Sequence, residues 1–345
     1  MCGIAGFIDF SRSSSPEILE RMTGAIAHRG PDDSGSEIRY FGDATVGLGF
    51  RRLSVIDLSS AGHQPMINEQ NGDILVFNGE VYNFAEIRQE LIEAGHTFKS
   101  KTDTEVVLRA FQAWGTACVD KFIGMFAIVI YNPAGNRVVC IRDRAGVKPF
   151  YYYWDGQLFM FASELKAFHQ HPSFKKQINF DALALFFHHG YIPAPYCIFN
   201  HTNKLLPGNI LQFNLRSKDI SVTPYWSILD AFNKPKLKLT FEEATDELEK
   251  LLSSAFSYRM ISDVPVGVFL SGGYDSSVVT AMIQQNQSQK LKTFTIGFEN
   301  QMFDESRFAK GVAEYLGTDH TQYLCSEKEA TDIIHELPDV YDEPL

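Results

Sequence analysis

The sequence contains no apolar run that approaches the roughly 20 residues needed for a membrane-spanning helix. Its first apolar run is also too short for the hydrophobic region of a secretory signal peptide. Both absences favour a protein that stays in the cytoplasm and has no membrane as a partner.

Cysteine is scarce, and the five cysteines of the 345-residue chain form no C-x-x-C pair. They lie far apart, at Cys2, Cys118, Cys140, Cys197 and Cys325. An odd number of scattered cysteines predicts neither a disulfide framework nor a zinc or redox dithiol site. Reduced thiols are therefore expected, as in a cytoplasmic protein.

Basic residues are outnumbered, since 31 Lys and Arg stand against 42 Asp and Glu, giving a net charge of -11. This balance argues against nucleic acid as the main partner and favours small metabolites. The contents of 45% hydrophobic and 21% charged residues are ordinary for a globular protein. A chain of 345 residues exceeds one typical core, so we expect two domains.

Cys2 directly follows Met1, so removal of the methionine would make this cysteine the N-terminal residue. The unperturbed pKa of a thiol is about 8.5, and that of an α-amine is roughly 7.7 to 8.0. A neutral amine can accept the thiol proton near neutral pH, which places a nucleophile and its base in one residue. Gly3 and Gly6, in the apolar run that follows, suit a buried strand. Taken alone, a cysteine at position 2 is not specific for catalysis.

The first part of the chain has more predicted strands than helices, and the strands come in consecutive runs. We expect strands at 45–50, 53–57, 74–78, 125–131, 137–142 and 158–163. Helices are expected from Pro16 to about His28, at 84–94 and at 103–114, with an ordered loop at 28–35. Thr102 and Glu105 fit a capping box at the start of the last helix. This pattern favours an α+β fold with mostly antiparallel sheets over a doubly wound fold.

Three polar features in this part are unusual for positions with a purely structural role. Arg51 and Arg52 precede an apolar run, where one guanidinium could clamp a carboxylate, although a solvated charged edge is commoner. Asn78-Gly79 suits either a hairpin turn or an oxyanion hole made of the Asn amide and the Gly N–H. Asp103 suits either the first turn of a helix or a site for an ammonium group.

The pattern changes from about residue 240, where a helix precedes a strand, a turn and a second helix. The strand at 266–270 leads into Ser-Gly-Gly-Tyr-Asp-Ser-Ser at 271–277, and a helix begins near Val278. Glycine N–H groups, serine hydroxyls and a helix N-terminus together suit a phosphate group, although a plain turn is the alternative. The Gly-Lys-Ser/Thr ending of a Walker A loop is missing. Strands at 292–298 and 321–324 flank a helix at 304–316, which predicts a parallel sheet.

Six motifs in the first part carry a family resemblance. They are Met-Cys-Gly-Ile-Ala-Gly at 1–6, His-Arg-Gly-Pro-Asp at 28–32, Arg-Arg-Leu-Ser-Val-Ile-Asp at 51–57, Phe-Asn-Gly-Glu-Val-Tyr-Asn at 77–83, Lys-Thr-Asp-Thr-Glu-Val at 101–106 and Gly-Met-Phe-Ala at 124–127. In this order they resemble the glutaminase domain of class II glutamine amidotransferases, most closely that of glutamine-dependent asparagine synthetases. The resemblance implies an α+β N-terminal-nucleophile hydrolase sandwich of αββα layers.

The resemblance also implies a glutamine site centred on Cys2, whose thiol would attack the side-chain amide of L-glutamine. Arg52 would hold the glutamine carboxylate, Asn78 and Gly79 would form the oxyanion hole, and Glu80 and Asp103 would receive the α-ammonium. The segment Leu53, Ser54, Val55 and Ile56 would complete the binding site.

The serine- and glycine-rich turn resembles the pyrophosphate loop of ATP pyrophosphatases, which implies ATP and Mg²⁺ as cofactors. The implied ATP-binding residues are Phe269, Leu270, Ser271, Gly272, Gly273, Asp275, Ser276 and Ile296. Ligands bind beyond the carboxyl ends of parallel strands, which places adenine and ribose near Phe269, Leu270 and Ile296. Asp275 would lie near Mg²⁺ through the phosphates. Tyr274 departs from the leucine frequent at this position in asparagine synthetases, and this departure leaves the acceptor substrate open.

The resemblance covers essentially the whole chain and predicts three segments. They are a glutaminase domain at 2–215, a connection at 216–239 and an ATP-pyrophosphatase domain at 240–345. No second Ser-Gly-x-Gly-x-Asp-Glu motif follows, so the last domain is expected to be truncated.

The implied activity is that of a glutamine-hydrolysing asparagine synthase, with aspartate as the carboxylate that ATP activates. Two alternatives remain at this point. The acceptor could be another carboxylate such as a sugar uronate, or the chain could be a truncated paralogue that only binds or hydrolyses glutamine. The oligomeric state is open, with a homodimer as one option.

Overall fold

The computed structural model describes residues 1–344, and Leu345, the last residue of the predicted second domain, lies outside them. The chain forms two compact units. Unit 1 contains Met1–Lys234 and the segment that begins at Tyr341, whereas unit 2 contains Pro235–Val340. The domain bounds at 215 and 240 remain a prediction, and a strand of unit 1 at Ile220–Pro224 lies inside the predicted connection.

Unit 1 is built from strands that form two six-stranded sheets. The strands are β1 Gly3–Asp9, β2 Asp33–Phe41, β3 Ala44–Arg52, β4 Met66–Ile67, β5 Ile74–Val81, β6 Gly124–Asn132, β7 Arg137–Arg142, β8 Tyr151–Trp154, β9 Leu158–Ala162, β10 Thr202–Lys204, β11 Asn209–Asn214 and β12 Ile220–Pro224. One sheet has the order β10-β8-β9-β1-β3-β2 and the other the order β12-β11-β7-β6-β5-β4. All pairings within them are antiparallel.

Helices cover the outer faces of both sheets. They are α1 Pro16–Gly24, α2 Phe84–Glu93, α3 Asp103–Trp114 and α4 Phe180–His189. A fifth helix, α5 Ile228–Phe232, is short and has no buried residue. α1 and α4 share a buried apolar cluster with β1 and β9 of the first sheet. α2 and α3 share another with β5, β6 and β7 of the second sheet. A third cluster fills the space between the sheets. The predicted αββα sandwich is therefore confirmed.

β1 shows how the sequence produces this layering. All seven of its residues are buried. Ile4 and Ile8 belong to the core between the sheets, while Ala5 and Phe7 belong to the core under the helices. Because side chains alternate across a strand, a strand that is covered on both faces must be largely apolar, and in β1 only the terminal Asp9 is charged. Cys2 directly precedes β1 and packs against the core between the two sheets.

Two predictions near this strand are wrong. The helix expected to reach His28 ends at Gly24, and a separate 3₁₀ turn follows at Ala27–Arg29. The change of direction buries Ile26 in the core and points Arg29 at the carbonyl of Cys2, to which its Nε donates at 2.9 Å. The expected loop at 28–35 also ends early, because β2 begins at Asp33.

The strand predicted at 53–57 is a loop, which is a further correction. The carbonyl oxygens of Ile56, Asp57 and Ser59 accept hydrogen bonds from the buried guanidinium of Arg52. These carbonyls turn towards one cation, so they are not available to a sheet ladder. The apolar pattern of the segment does not reveal this arrangement.

Unit 2 is an α/β unit with a parallel sheet, as predicted. Its main elements are α6 Phe241–Arg259, β13 Gly267–Phe269, α7 Tyr274–Gln285, β14 Lys292–Phe298, α8 Ser306–Leu316, β15 Asp319–Cys325, α9 Glu327–Asp332 and α10 Leu337–Val340. The strands have the order β13-β14-β15 and pair in parallel. Thr240 and Glu243 form a full capping box at the start of α6. Across residues 1–344 no helix is both long enough and apolar enough to cross a membrane.

Candidate active site

A pocket in unit 1 brings residues of β3, β5 and α3 together around Cys2. Its walls are formed by Cys2, Phe50, Arg52, Leu53, Val55, Ile56, Gln64, Phe77, Gly79, Glu80, Asp103 and Thr104. Most of the residues predicted for the glutamine site thus share one cavity. Ser54 and Asn78 do not line it: the backbone N–H of Ser54 donates to Asp32 at 2.7 Å, and Asn78 is fully buried.

The thiol of Cys2 lies against the loop that follows β3. The backbone N–H of Leu53 is 3.4 Å from Cys2 Sγ, and the Leu53 carbonyl is 3.6 Å from the same atom. Burial raises the pKa of the Cys2 thiol, and the contact with Leu53 opposes this rise. Burial also lowers the pKa of the N-terminal amine of Met1. The neutral, proton-accepting form of the amine is therefore favoured beside the thiol.

Arg52 supplies a buried cation at the end of β3. Its guanidinium donates from Nη1 to the Ser59 carbonyl at 2.8 Å and from Nη2 to the Asp57 carbonyl at 2.5 Å. Gly62 lies so close that a Cβ at this position would meet Arg52 Nη2 at 2.0 Å. The guanidinium is therefore fixed by neutral carbonyl groups, so its charge remains available to an anion in the pocket.

Asn78 and Gly79 lie inside β5, paired with Ala127 and Phe126 of β6, so the hairpin-turn interpretation is wrong. Neither Nδ2 nor Oδ1 of Asn78 has a hydrogen-bond partner among the described residues, although the side chain is fully buried. An unpaired buried amide costs roughly 1 to 3 kcal/mol, which a ligand could recover. A Cβ on Gly79 would meet the Met125 carbonyl oxygen at 2.3 Å, so β6 leaves room only for glycine.

Glu80 and Asp103 place two carboxyl groups in the same pocket. Burial, reinforced by the charge of Asp103, raises the pKa of Glu80 to about 8. Burial also raises the pKa of Asp103 to about 6, although the backbone N–H of Val81 donates to its Oδ2 at 3.0 Å. Two acids that resist ionisation together favour a cation between them.

The structure confirms that Asp103 lies in the first turn of a helix, and its role as an ammonium site stays a prediction. It is the first residue of α3, which follows the N-cap Thr102, and it also lines the pocket. The Thr102 hydroxyl accepts from the Glu105 N–H at 3.1 Å, as a capping box requires. The Glu105 carboxylate instead accepts from the backbone N–H groups of Lys99 and Ser100, so only half of the predicted box is present.

Sequence reasoning missed two residues beside this pocket. The Gln64 side chain imitates a strand neighbour, because its Oε1 accepts from the Phe77 N–H at 2.6 Å and its Nε2 donates to the Phe77 carbonyl at 3.3 Å. Lys148 is only 4% exposed, and the charges of Glu80 and Cys2 oppose the fall in its pKa that burial causes. Neither residue stands in a pattern that distinguishes it from a surface side chain.

The predicted phosphate loop lies in unit 2 between β13 and α7. α7 begins at Tyr274, whereas the sequence predicted a start near Val278, because Asp275, Ser276 and Ser277 form the first helical turn. Gly272 adopts a φ of +83°, where a Cβ would meet the Ala309 backbone nitrogen at 2.6 Å.

Hydroxyl groups tie this loop together. The backbone N–H of Ser271 donates to Ser276 Oγ at 3.2 Å, and the two hydroxyl oxygens lie 2.9 Å apart. Leu270 is buried, whereas the side chains of Phe269 and Ile296 are exposed. Within residues 1–344 no group of three or more His, Cys, Asp or Glu side chains is placed to hold a metal ion.

Comparison with known families assigns both parts of the chain. A family model described as glutamine amidotransferase domain matches residues 1–226, and one described as asparagine synthase matches residues 247–345. The solved structure of an allosteric regulatory enzyme of purine biosynthesis is similar, with a TM-score of 0.50 and 14% identity over 94% of this chain and 80% of that chain. At that identity the likeness concerns the fold alone.

Two curated relatives are similar over the entire chain. One is a Methanocaldococcus jannaschii protein with the provisional name asparagine synthetase (glutamine-hydrolyzing) 2, which is 41% identical. The other is asparagine synthetase (glutamine-hydrolyzing) 3 of Bacillus subtilis, which is 34% identical. The chain spans 69% of the length of the first and 57% of the second. It belongs to the family of glutamine-hydrolysing asparagine synthetases.

Proposed function

We propose that unit 1 hydrolyses L-glutamine to glutamate and ammonia at Cys2, and that the ammonia amidates an aspartate activated by ATP. The observation that carries the first half is the pocket, where a thiol, a buried cation and two carboxyl groups meet. A free amino acid presents a carboxylate and an ammonium group, so its site needs one cationic and one anionic anchor. Arg52 would be the cationic anchor, and Asp103 would be the anionic one, joined by Glu80 where the pH is high enough to ionise it.

Cys2 Sγ would form a bond to the side-chain carbonyl carbon of glutamine. The negative charge that develops on the carbonyl oxygen would be met by the Asn78 amide and the Gly79 N–H, which act as the oxyanion hole. The C–N bond then breaks, and ammonia leaves with the proton that the thiol gave up. Water hydrolyses the resulting thioester to glutamate and regenerates the thiol.

The base in this scheme is the α-amine of Cys2, which becomes available once Met1 is removed. Support comes from the neighbouring Met1 amine, whose pKa is lowered by burial, since the same surroundings would favour a neutral amine on Cys2. Leu53, Ser54, Val55 and Ile56 would close the site beside the thiol, with the Leu53 N–H directed at the sulfur.

The second half of the proposed reaction would use the loop of unit 2. The Ser271 and Ser276 hydroxyls, the flexible backbone at Gly272 and Gly273, and the N-terminus of the 12-residue helix α7 suit a pyrophosphate group. Phe269, Leu270 and Ile296 would lie beside the adenine and ribose. Asp275, in the first turn of α7, would approach Mg²⁺ through the phosphates, and the ion would offset their charge.

Two measurements test this function. Glutamine should yield equal amounts of glutamate and ammonia, and ATP–pyrophosphate exchange should depend on added aspartate. Exchange that depends on a sugar uronate but not on aspartate would show that the uronate, and not aspartate, is the acceptor. Glutamate formation without exchange on any carboxylate would leave a glutaminase alone, and no glutamate formation would contradict the proposal for Cys2.

Glutamine binding should strengthen as the pH rises from 7 to 8.5. The pKa of Glu80 is raised to about 8, so this carboxyl is largely protonated at neutral pH and becomes an anion only as the pH rises. Calorimetry on the Cys2→Ala variant, which cannot turn over, should show a dissociation constant that falls several-fold over this range. Glutamine binding at pH 7 should also release protons.

The matched variant carries both Cys2→Ala and Glu80→Gln. It should bind glutamine more weakly and lose most of the pH dependence above pH 7. The dependence near pH 6 should remain, because it belongs to Asp103. If the affinity for glutamine is independent of pH in both the Cys2→Ala protein and the double variant, Glu80 does not bind the ammonium group.

The predicted cytoplasmic location and the oligomeric state are separate proposals. Five free cysteines suit a reducing compartment. A homodimer is one option for the assembly, and analytical ultracentrifugation decides it.

A further inference from the structure

The chain returns to unit 1 at Tyr341, and two consecutive carboxylates then dock there. Asp342 Oδ2 accepts from the Leu165 N–H at 2.6 Å, and its other oxygen lies 3.6 Å from Lys166 Nζ. Glu343 accepts from the Ile198 N–H at 2.8 Å and pairs with Lys204 Nζ at 2.6 Å. The side chains of both acids are only 10% exposed, so this is a specific docking site.

The Asp342 side of this site connects to the nucleophile. Lys166 Nζ, which faces Asp342, also lies 3.1 Å from Glu164 Oε2. Glu164 Oε1 accepts from Arg29 Nη1 at 2.7 Å, and Arg29 Nε donates to the backbone carbonyl of Cys2 at 2.9 Å. An unbroken series of charged contacts therefore joins Asp342 to Cys2.

This positioning network, defined as Asp342, Lys166, Glu164 and Arg29, is shielded from solvent. The exposed fraction is 8% for the Arg29 side chain, 16% for Glu164, 19% for Lys166 and 10% for Asp342. Buried ion pairs are screened little by salt, and removing one member leaves its partner's charge uncompensated. A change at Glu164 must therefore be felt at Arg29.

Glu164 occupies the centre of the network, where two cations and the imidazole of His28 face it. Arg29, Lys166 and His28 all lie within 3.1 Å of its carboxylate. Burial by itself would raise the pKa of Glu164, but the hydrogen bonds from these residues outweigh it and hold the pKa below its usual value. The carboxylate is thus an anion throughout the neutral range and can orient Arg29.

We propose that Glu164 is a positioning residue for Cys2 in glutamine hydrolysis, and that Asp342 supports it through Lys166. The proposal rests on the proposed glutaminase function. Arg29 holds the Cys2 carbonyl and so fixes the backbone that carries both the thiol and the α-amine. If Arg29 moves, the thiol loses its alignment with the Leu53 N–H and with the carbonyl carbon of bound glutamine.

Glu343 provides the internal comparison. It docks the same segment as Asp342, and its contacts go to Ile198 and Lys204 rather than to the positioning network. A substitution at either residue loosens the segment, but only one at Asp342 reaches Arg29. Comparing substitutions at Asp342 and Glu343 therefore separates an effect on Cys2 from the general effect of loosening the docked segment.

The experiment compares Glu164→Gln, Asp342→Asn and Glu343→Gln in the otherwise unchanged chain. We expect kcat for glutamine hydrolysis to fall about 10- to 100-fold in Glu164→Gln, with KM changed less than about threefold, as for a misaligned reacting group. Asp342→Asn should lose about three- to tenfold in kcat, and Glu343→Gln less than about twofold. Lys166→Arg should retain activity that Lys166→Met loses.

A second readout does not need turnover. The rate at which iodoacetamide alkylates Cys2 at pH 7.5 should fall at least about threefold in Glu164→Gln, because loss of the Leu53 contact leaves the thiolate less stabilised. Thermal unfolding of each variant checks that the fold is retained. If the parent chain does not hydrolyse glutamine but this slower alkylation is seen, the proposed function fails and the positioning role stands.

Two results would overturn the inference. One is a Glu164→Gln protein whose kcat and Cys2 alkylation rate both match those of the parent chain. The other is an equal loss of kcat in Asp342→Asn and Glu343→Gln. Such a loss would show that Asp342 acts only by docking the segment that begins at Tyr341, and not through Lys166 and Glu164.

Discussion

Replacing Cys2 with alanine should lower kcat for glutamine hydrolysis by at least about 10⁴-fold, because the reaction then has no nucleophile. The fold should be retained, since the polar contacts of the thiol go to the Leu53 backbone N–H and carbonyl and its removal leaves no buried charge. The measurement is glutamate formation at saturating glutamine, combined with thermal unfolding of the same protein. Residual hydrolysis within about tenfold of the parent chain would exclude Cys2 as the nucleophile.

The matched control for this variant is Cys325→Ala. Cys325 is also a free, partly buried cysteine, but it lies at the end of β15 in unit 2. Its removal should leave glutamine hydrolysis unchanged. Where ATP-dependent amidation is measurable, Cys2→Ala should retain the reaction driven by added ammonium. Loss of both reactions would contradict a scheme with two separate sites.

Replacing Asn78 with alanine should lower kcat about 10²- to 10³-fold, with little change in KM, because one donor to the oxyanion is removed. Asn78→Asp should lose more, because a carboxylate would repel the oxyanion. Steady-state kinetics on both variants, with glutamine varied at fixed pH, gives the two constants.

Stability distinguishes this expectation from a general packing defect. The Asn78 amide has no hydrogen-bond partner among the described residues, so its removal relieves an unsatisfied buried group. The free energy of unfolding of Asn78→Ala should therefore fall by no more than about 1 kcal/mol, whereas truncation of a well-packed core side chain costs about 2 to 5 kcal/mol. An unchanged kcat together with a large loss of stability would show that Asn78 has a structural role in the core and no role in the oxyanion hole.

The sequence predicted the fold because its strongest signals are local. Continuous runs rich in apolar residues mark β5 and β6, Thr102 marks the start of α3, and the glycine-rich turn after β13 marks the step from strand to helix. Such features depend on neighbours a few residues apart, and the elements that they predict are present in the structure. Most residues of the predicted glutamine site lie at the ends of these elements and line one cavity, while their roles stay a prediction.

Polar contacts between residues far apart in the chain could not be predicted from the sequence. Arg52 turns the 53–57 segment into a loop by taking its carbonyl groups, although the segment reads as a strand. Gln64 pairs with the backbone of Phe77, and Glu164 reaches Arg29 across 135 positions of the chain. No spacing rule connects such residues, since their partners are chosen by tertiary packing and by the need to satisfy buried polar groups.

Covalent labelling followed by intact-mass and peptide analysis tests most directly whether Cys2 is an N-terminal nucleophile. The reagent is a glutamine analogue that carries a diazoketone in place of the side-chain amide. We predict a protein that lacks Met1 and gains one adduct, located on Cys2 and prevented by excess glutamine. A protein that retains Met1 and still hydrolyses glutamine, or an adduct on another cysteine, would contradict this role.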